Sequence, residues 1–141
     1  MMELIPGIRP SADALGAEKI RMDIIAQNIA NANTTKDLDG EPYKRKLVEF
    51  ESVLHHATSL NPDGYVEGVK IRDIVEDKNP GPKVFNPAHP HADADGFVKM
   101  PNVQVQREMV DLISSSRAYE ANLSVIKTAR SMARQALSIG R

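Results

Sequence analysis

Apolar residues recur at the period of a helix along the two ends of this chain, and not between them. Near the start, Ile8, Leu15, Met22 and Ile29 fall seven residues apart, with Ala12, Ile25 and Ala26 broadening the stripe. That spacing describes a helix with one apolar face. Pro10 and Ser11 supply a start signal, since Pro pre-sets a helical φ and Ser can cap free backbone N–H groups. The spacing predicts a helix from Ser11 to about Ala32. Asn31, Asn33, Thr34 and Thr35 would end it, because their side chains compete with the backbone for hydrogen bonds.

The C-terminal pattern is longer. Val105, Met109, Leu112, Ser116, Tyr119, Leu123, Ile126, Arg130, Ala133 and Leu137 alternate four- and three-residue steps, and eight of the ten are apolar. No Pro or Gly intervenes between Asn102 and Ser138. A helix of about 34 residues would be about 50 Å long at 1.5 Å per residue. A sustained heptad of that length exceeds what a small domain can cover, so partner helices are expected. Glu108 and Asp111 early in it, with Lys127, Arg130 and Arg134 late, complement the helix dipole.

Residues 34–103 hold seven of the nine prolines and five of the eight glycines, which excludes long helices there. Tyr43, Arg45, Leu47 and Glu49 alternate with other residues as a strand does, and Val69–Lys70–Ile71–Arg72 does likewise. A small, loop-rich β unit is expected, with too few large apolar side chains to be more than marginally stable alone.

Composition narrows the function classes. With 141 residues, 18 Lys and Arg, and 19 Asp and Glu, the net charge is −1. It runs from −1 over residues 1–33, through −3 over 34–103, to +3 over 104–141. There is no clustered basic excess of the kind a nucleic acid or anionic membrane would require. Three Phe, three Tyr and no Trp suit narrow helix seams better than a compact core. The chain has no Cys, which removes disulfides, thiolate nucleophiles and Cys-based zinc sites. No apolar run approaches 18 residues, so a membrane-spanning helix is not expected. Met1 to Leu15 lacks a basic stretch followed by a continuous apolar run, so no secretory signal is expected either.

One cluster, His89–Pro90–His91–Ala92–Asp93–Ala94–Asp95–Gly96, has the residue types of a metal site. A calcium loop would need a carboxylate at position 91 and a Glu at position 102, where this chain has His and Asn. The His spacing matches no zinc pattern, so a turn-rich structural loop is the expected reading. His55–His56 has no Ser or Asp placed to complete a triad and reads as a surface pair. No cofactor, metal or catalytic residue is expected.

Met22–Asp23–Ile24–Ile25–Ala26–Gln27–Asn28–Ile29–Ala30–Asn31–Ala32–Asn33–Thr34–Thr35 resembles the N-terminal signature of the flagellar axial protein family, centred on Asn-Ile-Ala-Asn. Gly40–Glu41–Pro42–Tyr43–Lys44–Arg45–Lys46 is similar to the family's Gly-x-Pro-Tyr-basic segment. Asn86 to Val98 with Met100–Pro101–Asn102–Val103, and Glu108 to Asn122, resemble the markers of its proximal rod subunits. His91 departs from the acidic residue expected there, and Ser11 to Ala17 is less regular than the usual opening.

The resemblance implies a structural subunit of the bacterial flagellar rod, exported without a cleaved signal by the flagellar type III apparatus. It implies assembly with copies of itself and other rod subunits into a tubular drive shaft crossing the periplasm. The expected fold is α+β: long N- and C-terminal amphipathic helices pairing in a coiled-coil-like layer, with a small loop-rich β segment between. Expected divisions are 1–33 and 104–141 as inner-layer assembly segments, and 34–103 outside them. The expected assembly interface is Leu15, Met22, Asn28, Ile29 and Asn31, with Val105, Met109, Leu112, Tyr119, Leu123, Ile126, Ala133 and Leu137. Asn28, Asn31 and Asn33 are expected to bond backbone groups where the first helix ends and so to fix the chain's exit. A coiled-coil adaptor or export-chaperone-like module is the competing class.

Overall fold

The computed structural model describes residues 8–37, 39–56 and 65–139, the side chains of 55, 56, 65, 66 and 139 excepted. The expectations for Met1–Gly7 and for the His55–His56 side chains lie outside that description. Two long helices, α1 (Ile8–Ala30) and α2 (Val105–Ile139), flank four strands: β1 (Lys46–His56), β2 (Tyr65–Glu76), β3 (Lys83–Phe85) and β4 (Phe97–Lys99). The class is α+β, with the helices at the two ends.

α1 starts three residues earlier than its Pro10–Ser11 signal suggests. Pro10 is tolerated because backbone N–H groups of a first helical turn have no intrahelical acceptor. Asn31 is bonded where the helix ends. Asn31 Nδ2 donates to the Gln27 carbonyl (2.9 Å), and Thr34 Oγ1 donates to Asn31 Oδ1 (3.2 Å).

β1 and β2 form an antiparallel ribbon far longer than the alternation alone reveals, paired from Lys46–Glu76 to His56–Tyr65. The register slips between Glu49 and Phe50, which oppose Asp73 and Ile71, leaving Arg72 as a bulge. β3 and β4, which no alternating run announces, pair Lys83–Lys99, Val84–Val98 and Phe85–Phe97. The Phe85 and Phe97 rings meet edge to face at 5.3 Å, and Val98 is the buried centre of this small unit.

α1 is the shared element: it packs on α2 along one side and on the ribbon along another, and neither ribbon strand packs on α2. The helices run antiparallel, with Asn28 near Glu108 and Glu18 near Ser115. At 23 residues α1 is exhausted before the 35 of α2, and from Arg134 to Ser138 every residue is exposed.

Candidate functional site

The face that α2 turns to α1 follows a heptad, but not the one its apolar residues suggest. Leu112, Tyr119, Ile126 and Ala133 lie half-buried along it. Between them stand Glu108, Ser115 and Asn122, one residue before Met109, Ser116 and Leu123. Glu108 and Ser115 are fully buried, while Met109 is 51% exposed. Polar partners set this rotation. Ser115 Oγ donates to Glu18 Oε2 (2.5 Å) and lies 3.3 Å from the Glu18 carbonyl oxygen. On α1 the buried positions are Ala17, Ile24, Ile25 and Asn28, with Leu15, Met22 and Ile29 half-buried beside them. Ala12 and Ala26, which broaden the stripe in the sequence, are exposed.

The tightest part of the molecule is a polar junction where three segments meet. Asn28, 1% exposed, makes four hydrogen bonds with its amide. Its Nδ2 donates to the Lys46 carbonyl (2.9 Å) and to Glu108 Oε2 (3.0 Å). Its Oδ1 accepts from the Tyr43 hydroxyl and from the Lys46 N–H, both at 2.9 Å. An amide offers two donors and two acceptor sites, so Asn28 is satisfied completely. Glu108 Oε1 accepts from Arg45 Nε (2.5 Å), and Arg45 Nη2 reaches Asp111 Oδ2 at 3.3 Å. The buried Glu108 carboxylate is thus both paired with a guanidinium and hydrogen-bonded, the condition under which a buried charge is tolerated. Burial, then the charges of Glu108, Glu76 and Asp37, push the Tyr43 hydroxyl above the usual phenol pKa. Asn102 closes the junction from the C-terminal side. Its Oδ1 accepts from the Arg45 N–H (2.7 Å), and its Nδ2 donates to the Asp77 and Asn79 carbonyls.

Periodicity cannot find this junction, because Glu108 reads there as a dipole-complementing charge. Asn28, Tyr43, Arg45 and Glu108 do fall inside the family-like stretches, and that was the signal available.

The histidine loop is built by backbone capping. Asp93 Oδ1 accepts from the N–H groups of Asp95 (3.1 Å) and Phe97 (2.8 Å). His89 Nδ1 accepts from the His91 N–H (3.1 Å), and His91 Nδ1 lies 2.9 Å from Thr35 Oγ1. Gly96 occupies the left-handed region at φ 79°.

A second surface lies on the side of α2 away from α1. Val110 (66%), Ile113 (56%), Val125 (51%) and Met132 (62%) are all more exposed than buried. Around the helix they share one stripe with Arg117 and Ala121, roughly opposite Glu108 and Ser115 at 100° per residue. The molecule therefore has a satisfied internal seam and an unsatisfied external one, the combination expected of a subunit.

Residues 8–36 match the family described as "Flagella basal body rod protein", and residues 94–139 match "Flagellar basal body rod FlgEFG protein C-terminal". The chain is 39% identical to the flagellar basal-body rod protein FlgC of Borreliella burgdorferi over 149 residues, covering 98% of each. The chain belongs to the FlgC family of flagellar basal-body rod proteins. It is also 39% identical to FlgC of Bacillus subtilis, covering 99% of this chain and 100% of that one. FlgC of Escherichia coli O6:H1 is 40% identical over 130 residues, 92% of each. As an FlgC-family member the chain is a structural subunit of the flagellar basal-body rod.

Proposed function

We propose that this subunit enters the rod through its two terminal helices, packing against copies of itself and related rod subunits. The terminal segments, 1–33 and 104–141, form the inner layer of the tube, and 34–103 sits outside it. The chain reaches the rod, in the periplasm, through the flagellar type III export apparatus without a cleaved signal, and it catalyses no reaction. Leu15, Met22, Asn28, Ile29, Asn31, Val105, Met109, Leu112, Tyr119, Leu123, Ile126, Ala133 and Leu137 belong to this assembly layer. Asn28 acts in it by holding the chain's own junction together.

The observation that carries this reading is the surplus of α2. Six large apolar residues, Met109, Val110, Ile113, Val125, Met132 and Leu137, remain more than half exposed on a helix longer than the described α1. Uncovered apolar area of this kind favours association. A contact between two different surfaces of one chain extends into a helical tube when its rotation does not close.

Leu137, 63% exposed, gives a clean test. Leu137→Glu should leave folding and secretion unchanged and abolish incorporation into isolated basal bodies. Normal swimming with normal incorporation would overturn the role given to the terminal helices.

A further inference from the structure

Gly16 stands in the interior of α1, where glycine lowers helix stability relative to alanine. Among the described residues nothing calls for it. Its φ is not positive, and a Cβ built there would meet no atom within 4 Å. A glycine that neither a turn nor an internal contact requires is a place where something from outside comes close.

The surroundings of Gly16 describe what that is. It lies in a groove of about 340 Å³ between α1 and the ribbon, lined mainly by Ala12, Ala17 and Ile20 on one side and Val53, Val69 and Ile71 on the other. Asp13 and Lys70 also line it, placing one charge of each sign at the groove. The chain also presents the complementary shape. The outer stripe of α2 offers Val110 and Ile113 as aliphatic knobs, followed by Arg117 and Glu120, one charge of each sign again. It cannot reach its own groove, because α1 lies between α2 and the ribbon.

We propose that the groove floored by Gly16 receives the Val110–Ile113 ridge of α2 from a second copy of this chain. The contact is head-to-tail: each copy donates a ridge and accepts one. It rests on the rod-subunit reading and specifies which surfaces meet. Gly16 lets the incoming helix approach, the aliphatic side chains leave water, and the opposed charges set the register.

The absence of cysteine makes the test clean. Two differently tagged full-length chains, one Gly16→Cys and one Ile113→Cys, are co-expressed in cells lacking the native subunit and treated with a bis-maleimide. Basal bodies are then isolated. A crosslink joining the two tags is expected, with no same-tag product and none when Lys99→Cys replaces Ile113→Cys. In parallel, Gly16→Leu should lose incorporation while the small Gly16→Cys keeps it, and the melting temperature of the free subunit does not fall in either. Incorporated chains that give no mixed crosslink overturn the groove and leave the rod reading standing. A crosslink from Gly16→Cys only to a different rod protein overturns the second copy as occupant. If even the Lys99→Cys chain is absent from basal bodies, the rod reading fails and takes this proposal with it.

Discussion

Replacing Asn28 should do more damage than replacing any apolar residue of α1, and the reason can be worked from its four bonds. Asn28→Ala leaves the Tyr43 hydroxyl, one Glu108 oxygen and both polar backbone groups of Lys46 without their partner. Tyr43 and Glu108 are buried, so those two groups bear the full penalty of an unmade bond, about 1–3 kcal/mol each. The Lys46 groups lie nearer the surface, where water can replace part of what is lost. The total is about 3–5 kcal/mol, a large fraction of the 5–15 kcal/mol of an ordinary domain. Urea unfolding followed by circular dichroism of the free subunit would show the midpoint falling with the slope unchanged.

Asn28→Asp tests the chemistry separately from the volume. It replaces the Nδ2 donor with an oxygen 3.0 Å from Glu108 and 2.9 Å from the Lys46 carbonyl, so two bonds become repulsions. Two carboxylates sharing one site raise each other's pKa in the folded state. Stability from such a raised group is present below its unfolded pKa and lost as pH rises through the folded value. Asn28→Asp should therefore be markedly less destabilised near pH 4 than at pH 7, relative to wild type at each pH. If Asn28→Ala costs under about 1 kcal/mol, or Asn28→Asp is no worse at pH 7 than at pH 4, the junction is not the closed network described here.

Gly81→Ala should destabilise the subunit by about 1–3 kcal/mol, because a Cβ would overlap the Met100 carbonyl oxygen and lie 2.8 Å from the Pro101 carbonyl carbon; thermal melting checks it. Tyr43 has a raised pKa, so its contribution is complete below about pH 10 and is lost above it. As pH rises above about 10, wild type should lose stability more steeply than Tyr43→Phe, and parallel curves would count against a buried hydroxyl. In hydrogen exchange on dilute subunit, residues 105–126, which lie along the described α1, should be better protected than 127–139. Uniform protection to Ile139 would mean that the end of α2 is covered by something other than α1.

The ends of the fold were legible in the sequence because helix periodicity is local. A stripe at seven-residue spacing needs no knowledge of its partner, and both helices came out within three residues at every boundary. The ribbon was only half legible. Strand pairing is settled by the opposite strand, and β1 carries Lys46, Glu49 and Glu51 while β2 carries Glu67, Arg72 and Asp73. Such strands do not sort into a clean apolar and polar face. β3 and β4 are three residues each, too short for any alternation to register. The rotation of the α2 seam was illegible for a different reason. Apolar spacing favours Met109, Ser116 and Leu123, but the internal face is chosen by Glu108 and Ser115, whose partners lie 80 and 97 residues away. A polar residue counts as core only when its partners are known, and periodicity does not supply them.

That rotation separates two tasks that a single apolar seam would merge. Apolar burial is non-directional, and a helix pair held only by it can slide or turn at little cost. Here the pair is indexed by bonds with fixed geometry, Asn28 to Glu108 at one level and Glu18 to Ser115 at another. Tyr43, Arg45 and Lys46, the residues leading into β1, are tied to the same point. The middle segment is thus set at a defined angle to the helices by polar bonds within the chain. Polar groups hold the inside, and Val110, Ile113, Val125 and Met132 are left on the outside, free for the association proposed above. In a rod that carries torque, a subunit whose internal angles depended on neighbours would yield under load. One whose angles are fixed internally can pass the load on through its outer stripe.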